Sequence, residues 1–379
     1  MLNSDDALDT QASVRRANLR RALQLVFRSP GTQTRAGISR ATGLTAATAS
    51  SLVAELIASR LVVDGEQAAS TGGKRATTLS IDASHHLILV LVIQPTHALV
   101  SLVALDGAEL DARRVSYTAE TRDEALDAAL VAVSAEYGSR VIGAGVQLPG
   151  TTDGRSVLES VQLAWEDVPL ADRFEALLGA PVLLINDVDA EAIAEAGRDE
   201  SPSGYRLFIH LGGGVGAAVT LDGELAPGPR DRAGEIGHVQ VEFGDTAREC
   251  RCGRTGCLES AASLSALLGA EFTDAMDPDE VAALAASADE RHLDAGARAL
   301  ARAIKLISAL LDPTEVVIGG PATLLGDRFL DLVRREADYP ARGTSVVPVR
   351  YADTRGALSA GAAQAALTSV LGVRWSPST

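Results

Sequence analysis

The sequence predicts an α/β protein in which an N-terminal winged helix-turn-helix precedes a larger body made of two related lobes. Three observations lead there. Apolar helical stripes joined by a capped turn are followed by two β-rich stretches, a strand–turn–strand–hairpin pattern occurs twice at an offset of 116 residues, and a basic head precedes an acidic body.

The first module occupies residues 1–82. Leu19, Leu23, Val26 and Phe27 recur at helical spacing, with Arg15, Arg16, Arg20 and Arg21 largely off that stripe. Ser29-Pro30-Gly31 ends this helix. Thr34 can cap a second short helix through Ile38 and Ala41, Gly43-Leu44 makes a tight turn, and Thr45 can cap a third. The third carries Ala49, Leu52, Val53, Leu56 and Ile57, the stripe of a helix buried on one side. Short strands are expected at 61–63 and 77–81, around a basic glycine-rich tip, Ser70-Thr71-Gly72-Gly73-Lys74-Arg75. This is the element order of a winged helix-turn-helix; a solvated linker is the alternative for the tip.

The 379 residues suit two or three compact units, and 46% hydrophobic with 22% charged residues is the balance of a folded chain. No apolar run reaches the length of a membrane-spanning helix, and Asp5, Asp6 and Asp9 stand where a secretory signal would be positive, so a cytoplasmic location with no membrane partner is expected. A net charge of -16 argues against nucleic acid as a partner of the whole surface. Its distribution reverses that. Residues 1–80 hold ten basic against six acidic side chains, a surplus of four, which leaves -20 for the rest. Such a head can touch DNA while the body stays clear of it.

The body begins near His85. Apolar runs at 87–93 and 98–105 precede Asp106-Gly107, and runs at 205–211 and 217–221 around Gly212–Gly216 precede Asp222-Gly223. Further buried strands are expected at 141–146, 182–185 and 315–318, giving mixed sheets with helices packed on them. The first lobe is placed at 83–190 with a C-terminal helix from 355–379 returning to it, and the second at 191–354. A ligand between the lobes is the default expectation.

The three cysteines, Cys250, Cys252 and Cys257, fall within eight residues, close after Gly234-Glu235-Ile236-Gly237-His238. Clustered thiols in a reducing compartment point to a metal before a disulfide. With His238 they make a Cys3His set, which suits a structural zinc ion; buried reduced thiols are the alternative.

These segments resemble the signature of the ROK family, which groups repressors, open reading frames of unknown role and sugar kinases. The likeness covers nearly the whole chain: Pro149-Gly150, the run from Ala164 through Trp165 to Leu170, Asn186-Asp187, Gly212 to Gly216, the Gly-Glu-Ile-Gly-His segment, the cysteine knuckle and Val317-Ile318-Gly319-Gly320 occur in family order. The N-terminal module resembles the repressor branch. The resemblance implies a two-lobed, actin-like ATPase fold with ribonuclease-H-like lobes, the fold of the sugar kinases.

It also implies that sugar hydroxyls are gripped by Asn186, Asp187, Glu235, His238 and Glu259, a chemically apt set of acceptors and donors. Asn186-Asp187 as a helix cap and Glu259 as a first-turn carboxylate are the alternatives. In the family's kinases the aspartate matching Asp187 is the catalytic base. Their phosphate loop, Asp-x-Gly-Gly-Thr, is replaced here by Val92-Ile93-Gln94-Pro95-Thr96, where Pro95 lacks a backbone donor and Gln94 adds bulk. Gly213 stands where the kinases often have threonine. Sugar binding without ATP turnover is therefore expected, with zinc and not ATP as the cofactor.

On the head, Arg40, Thr45, Thr48, Ser51, Lys74 and Arg75 are the expected DNA contacts, although no basic residue stands near Ala46 as is frequent in the family. The expectation is a transcriptional regulator, a repressor of carbohydrate metabolism whose operator affinity is set by a sugar or sugar phosphate bound between the lobes of a homodimer or homotetramer. The alternative is an active sugar kinase with an accessory DNA-binding head.

Overall fold

The computed structural model describes residues 11–67, 76–199, 202–228, 233–245, 247–273, 276–338, 347–353 and 359–375. The chain divides into two compact units, 1–186 with 358–379, and 187–357.

The first unit opens with helix α1 (Gln11–Arg28), strand β1 (Gln33–Thr34), α2 (Arg35–Thr42) and α3 (Ala46–Ala58). Thr34 Oγ1 caps α2 by accepting from the Gly37 N–H, Gly43 closes it in the left-handed region, and Thr45 Oγ1 caps α3 by accepting from the Thr48 N–H. The turn between α2 and α3 redirects the chain by 119°, the geometry of a helix-turn-helix. Leu23, Val26, Phe27, Ile38, Ala49, Leu52, Val53 and Leu56 are buried together with Val62 and Leu79 of the wing strands. Those strands, β2 (Val62–Gln67) and β3 (Thr77–Ile81), pair antiparallel in a sheet ordered β1-β3-β2. The sequence places the first wing strand too short, because its exposed Asp64, Glu66 and Gln67 carry no apolar signal, and it misses β1, which is only two residues long. The tip residues Lys74 and Arg75 lie outside the described residues.

The body of this unit is a five-stranded sheet, β4 (Leu87–Ile93), β5 (His97–Ala104), β6 (Glu109–Ser116), then helix α4 (Arg122–Tyr137) and strand β7 (Val141–Leu148). A small antiparallel sheet follows, β8 (Thr151–Thr152), β9 (Val157–Ser160) and β10 (Trp165–Val168), before α5 (Leu170–Leu178) and β11 (Val182–Asn186). The main sheet runs β11-β7-β4-β5-β6. All seven residues of β4 are buried, because both faces are covered. Leu126, Leu130 and Phe174 of α4 and α5 join the core on one face. The C-terminal helix (Ala360–Leu371) packs on β7, β4 and β11. It comes so close that a β-carbon on Gly145 would lie 2.3 Å from the Ala362 carbonyl oxygen, which explains a glycine in mid-strand.

The second unit repeats the plan. After α6 (Asp187–Ala196) come β12 (Tyr205–Leu211), β13 (Val215–Leu221) and β14 (Glu224–Leu225). Asp222 and Gly223, both at positive φ, form the hairpin. Helices α7 (Leu258–Ala262), α8 (Leu264–Leu268), α9 (Pro278–Ser287) and α10 (Glu290–Leu311) precede β15 (Glu315–Gly319), α11 (Gly326–Ala337) and β16 (Val349–Tyr351). The sheet runs β14-β13-β12-β15-β16, the strand order of the first unit reversed in listing but identical in connectivity. In each, an antiparallel meander supplies three strands, and two parallel strands add beside the meander's first. Leu207, Ile209 and Leu211 face Leu300, Ile304, Phe329 and Val333, whereas Phe208 and Val317 face Val188 and Ala192 of α6.

Among the described residues no single helix is long and apolar enough to cross a membrane.

Candidate metal centre and nucleic-acid interface

The glycine-rich turn between β12 and β13 is the hub of the second unit's site. Gly212 N–H closes the turn on the Gly214 carbonyl at 2.9 Å, and the Val215 N–H donates to Glu259 Oε2 at 3.3 Å. The following segment, Gly234 to His238, lies directly on β13. A β-carbon on Gly234, at φ 97°, would be 1.8 Å from the Ala217 carbonyl oxygen, and one on Gly237 would be 2.3 Å from that of Val215. Only bare backbone fits, and the two glycines fix where Glu235 and His238 stand. Glu235 is exposed; His238 is half-buried at the end of a short 3-10 turn.

The knuckle that follows is tied by Cys250 N–H to the Arg254 carbonyl at 2.8 Å and by Gly253 N–H to the Cys250 carbonyl at 2.9 Å. The His238 Nδ1 and the sulfurs of Cys250, Cys252 and Cys257 all lie within 4.8 Å of one another. Cys250 Sγ is 3.8 Å from His238 Nδ1, and Cys252 Sγ is 3.7 Å from Cys257 Sγ. A zinc tetrahedron with Zn–S bonds of ~2.3 Å has sulfur–sulfur edges of about 3.8 Å, so the donor set fits that ion. Burial pushes the Cys257 thiol up to about 12, whereas hydrogen bonds from Arg254 bring exposed Cys252 down to about 6. A divalent cation would hold both as thiolates. With Nδ1 turned toward the sulfurs, His238 keeps Nε2 for another partner.

Glu259 is 7% exposed and sits beside this cluster, with Oε1 4.0 Å from Cys250 Sγ. Asp187 heads α6, its Oδ1 accepting from the Val188 N–H at 2.9 Å, and Val188 in turn packs where a side chain on Gly216 would stand. Burial raises the Asp187 carboxyl to about 6, with Glu191 adding to the effect and His210 opposing it. Asn186, at the end of β11, donates from Nδ2 to the Gly150 carbonyl at 2.8 Å. The structure thus gathers His238, the cysteines and Glu259 around one turn, and sets Asp187 next to that turn's far end.

Three participants escape the sequence reading. His210 Nδ1 meets Glu191 Oε2 at 2.9 Å, beside Asp187; the signal was Glu191 one helical turn after Asp187. Arg251 forks onto Glu259, signalled only by its place between two cysteines. Tyr117 is the third, in the first unit. Its hydroxyl donates to the Gln94 carbonyl at 2.9 Å and its N–H to the Thr96 carbonyl at 2.9 Å, while Gln94 N–H closes on the His97 carbonyl at 2.8 Å. The turn after β4 is therefore shut. The Gln94 N–H is spent, Pro95 has none, and Val92 is buried and apolar.

On the head, Arg40, Thr45 and Ser51 are exposed and Thr48 is half-buried. Thr45 and Thr48 also bond each other through their hydroxyls at 2.9 Å, and Ser51 Oγ lies 3.5 Å from Arg15 Nη2, which also pairs with Glu55. These hydroxyls hold the N-terminus and flank of α3 and present it outward.

Residues 93–367 match the sequence model of the ROK family. The chain is 26% identical over 337 residues to a xylose repressor of Caldicellulosiruptor bescii, covering 79% of this chain and 82% of that protein. It is 32% identical over 261 residues to an N-acetylmannosamine kinase of Shigella flexneri, covering 65% and 86%. The kinase alignment is shorter by about the length of the head. A solved ROK family transcriptional regulator, described as a homologue of the E. coli MLC protein, superposes with a TM-score of 0.73 at 21% identity, covering 92% of this chain and 95% of that one, a likeness of fold.

Proposed function

The chain belongs to the ROK family, and from that premise we propose that it is a sugar-responsive DNA-binding repressor whose kinase-like body senses the sugar and transfers no phosphate. The observation that carries this reading is the shut turn after β4, pinned by Tyr117, in a chain that also bears a complete capped helix-turn-helix. Phosphoryl transfer is positioning and electrostatics around the γ-phosphate, and a turn in which the Gln94 N–H is spent and Pro95 has none to give is poorly equipped for either.

In this reading Asp187, Glu235, His238 and Glu259, with Asn186, accept and donate to sugar hydroxyls. A zinc ion held by His238 Nδ1 and the three cysteines would fix the imidazole so that Nε2–H donates, and would lock the knuckle that carries Glu259. Arg40, Thr45, Thr48 and Ser51, with Lys74 and Arg75 of the wing, contact operator DNA. Reading a two-fold operator takes two heads, so a homodimer or homotetramer is the working assembly.

The test pairs two assays on the purified protein. Mobility shift with promoter fragments from its own locus, with and without pentoses, hexoses and their phosphates, should show retardation that one sugar alters, and the sign assigns inducer or corepressor. A coupled ADP assay over the same sugars should stay at background; robust sugar-dependent turnover would establish the kinase instead.

A further inference from the structure

Arg251 holds Glu259 by both oxygens. Its Nε is 2.7 Å from Oε1 and its Nη2 is 3.0 Å from Oε2, the two-pronged match of guanidinium to carboxylate. The partners differ sharply in surroundings: Glu259 is 7% exposed, the Arg251 side chain 58%. The Val215 N–H is a third donor to the carboxylate, reaching Oε2 at 3.3 Å. The carboxylate is thus already occupied on the edge where its two oxygens accept together.

We propose that Arg251 stands in the sugar's place on Glu259, so that binding of a neutral sugar is an exchange in which two adjacent hydroxyls replace the guanidinium. This rests on the sugar-responsive reading above. Two vicinal O–H groups present a carboxylate with the same paired-donor pattern as an arginine fork, so the two compete for one edge. Arg251 can leave because more than half of its side chain is already exposed to water, and it returns readily because its backbone is pinned between Cys250 and Cys252 of the knuckle. Glu259 never has to be left bare, which a buried carboxylate would resist. Arg251 therefore sets how tightly a neutral sugar binds and makes that affinity depend on ionic strength, since salt screens the ion pair but not a neutral ligand.

Isothermal titration of D-xylose and D-glucose into the zinc-loaded full chain, from low salt to about 1 M, tests this. The wild type should bind more tightly as salt rises. Arg251→Gln should bind about 3- to 10-fold more tightly than wild type at low salt, with little salt dependence, the gap closing at high salt. Arg251→Lys, which keeps the charge and loses the fork, should fall between them while retaining the wild-type slope. Zinc content equal across the three proteins confirms that the knuckle is intact. Weaker binding by Arg251→Gln at every salt concentration, or a flat wild-type profile, overturns the exchange and makes Arg251 a support for Glu259. If neither wild type nor variants bind either sugar or any other saccharide tried, the sugar-responsive reading itself fails, and the exchange with it.

Discussion

Gln24 and Arg374 form a two-rung ladder: Gln24 Nε2 donates to the Arg374 carbonyl at 2.9 Å, and the Arg374 N–H donates back to Gln24 Oε1 at 2.8 Å. The first helix of the head is thereby paired with the segment just after the C-terminal helix. That segment is itself anchored, because the Trp375 N–H donates to Gln364 Oε1 at 2.9 Å and its indole Nε1–H to the Leu105 carbonyl at 2.7 Å. A second tie, His86 Nε2 to the Ser59 carbonyl at 2.9 Å, joins the base of α3 to the start of β4. Gln24→Ala removes both rungs at a cost of about 1–3 kcal/mol. Amide exchange at Arg374 should then quicken by about tenfold or more while that of β4 is unchanged; unaltered protection at Arg374 would show that the ladder does not hold the segment.

If the His238, Cys250, Cys252 and Cys257 cluster holds zinc, elemental analysis should find one zinc per chain. Cys257→Ser, which removes the most buried sulfur, should abolish it and lower the melting midpoint by roughly 6–12 °C, the equivalent of about 3 kcal/mol in a unit of this size. Chelator treatment of the wild type should produce a comparable drop. A wild type that carries no zinc after expression with it, and melts alike with and without chelator, would leave the cysteines as packed thiols.

Asp187 has a pH signature. Its carboxyl is raised from 3.8 to about 6, chiefly by burial, so the folded state holds the proton over a range where the unfolded state has lost it. Stability present below about pH 4 is therefore lost as pH climbs through 6, by about 3 kcal/mol for a shift of this size. Asp187→Asn keeps an acceptor for the Val188 N–H and removes the ionisation. It should be more stable than wild type at pH 7, with the advantage vanishing below pH 4. Parallel denaturation curves from pH 4 to 8 for the two proteins would contradict the assignment.

Arg40 and Thr45 should separate cleanly. Arg40→Ala is expected to leave the melting point unchanged, weaken operator binding and reduce the log–log salt slope by about 1, as loss of one phosphate contact does. Thr45→Ala deletes the cap of α3 and should cost about 1 kcal/mol of stability. An Arg40→Ala protein with the wild-type salt slope would remove that residue from the interface.

What could be read from the sequence was local. Thr34 and Thr45 declared themselves as caps because a cap reaches only to the third residue after it, and the knuckle did so because its sulfurs are confined to one short stretch. The duplication was legible since Asp106-Gly107 and Asp222-Gly223 punctuate matching apolar runs. Contacts made by folding were not. Arg251 pairs with Glu259 across a turn, Glu191 finds His210 from the next element, Tyr117 closes on Gln94 from just beyond the third strand of a meander, and Gln24 meets Arg374 from 350 positions away. Polar side chains of this sort carry no periodic signal, so only coordinates reveal their partners.

The second unit is an insertion: the chain leaves the first sheet after Asn186 and returns to it only with the C-terminal helix. On the ribosome, β4, β7 and β11 therefore emerge well before the helix that covers one of their faces, and the bare strip along Gly143 and Gly145 waits while the intervening lobe is translated. That interval is when the nascent protein is most exposed to aggregation, and a message cut short before Ala360 would yield a product stranded in it.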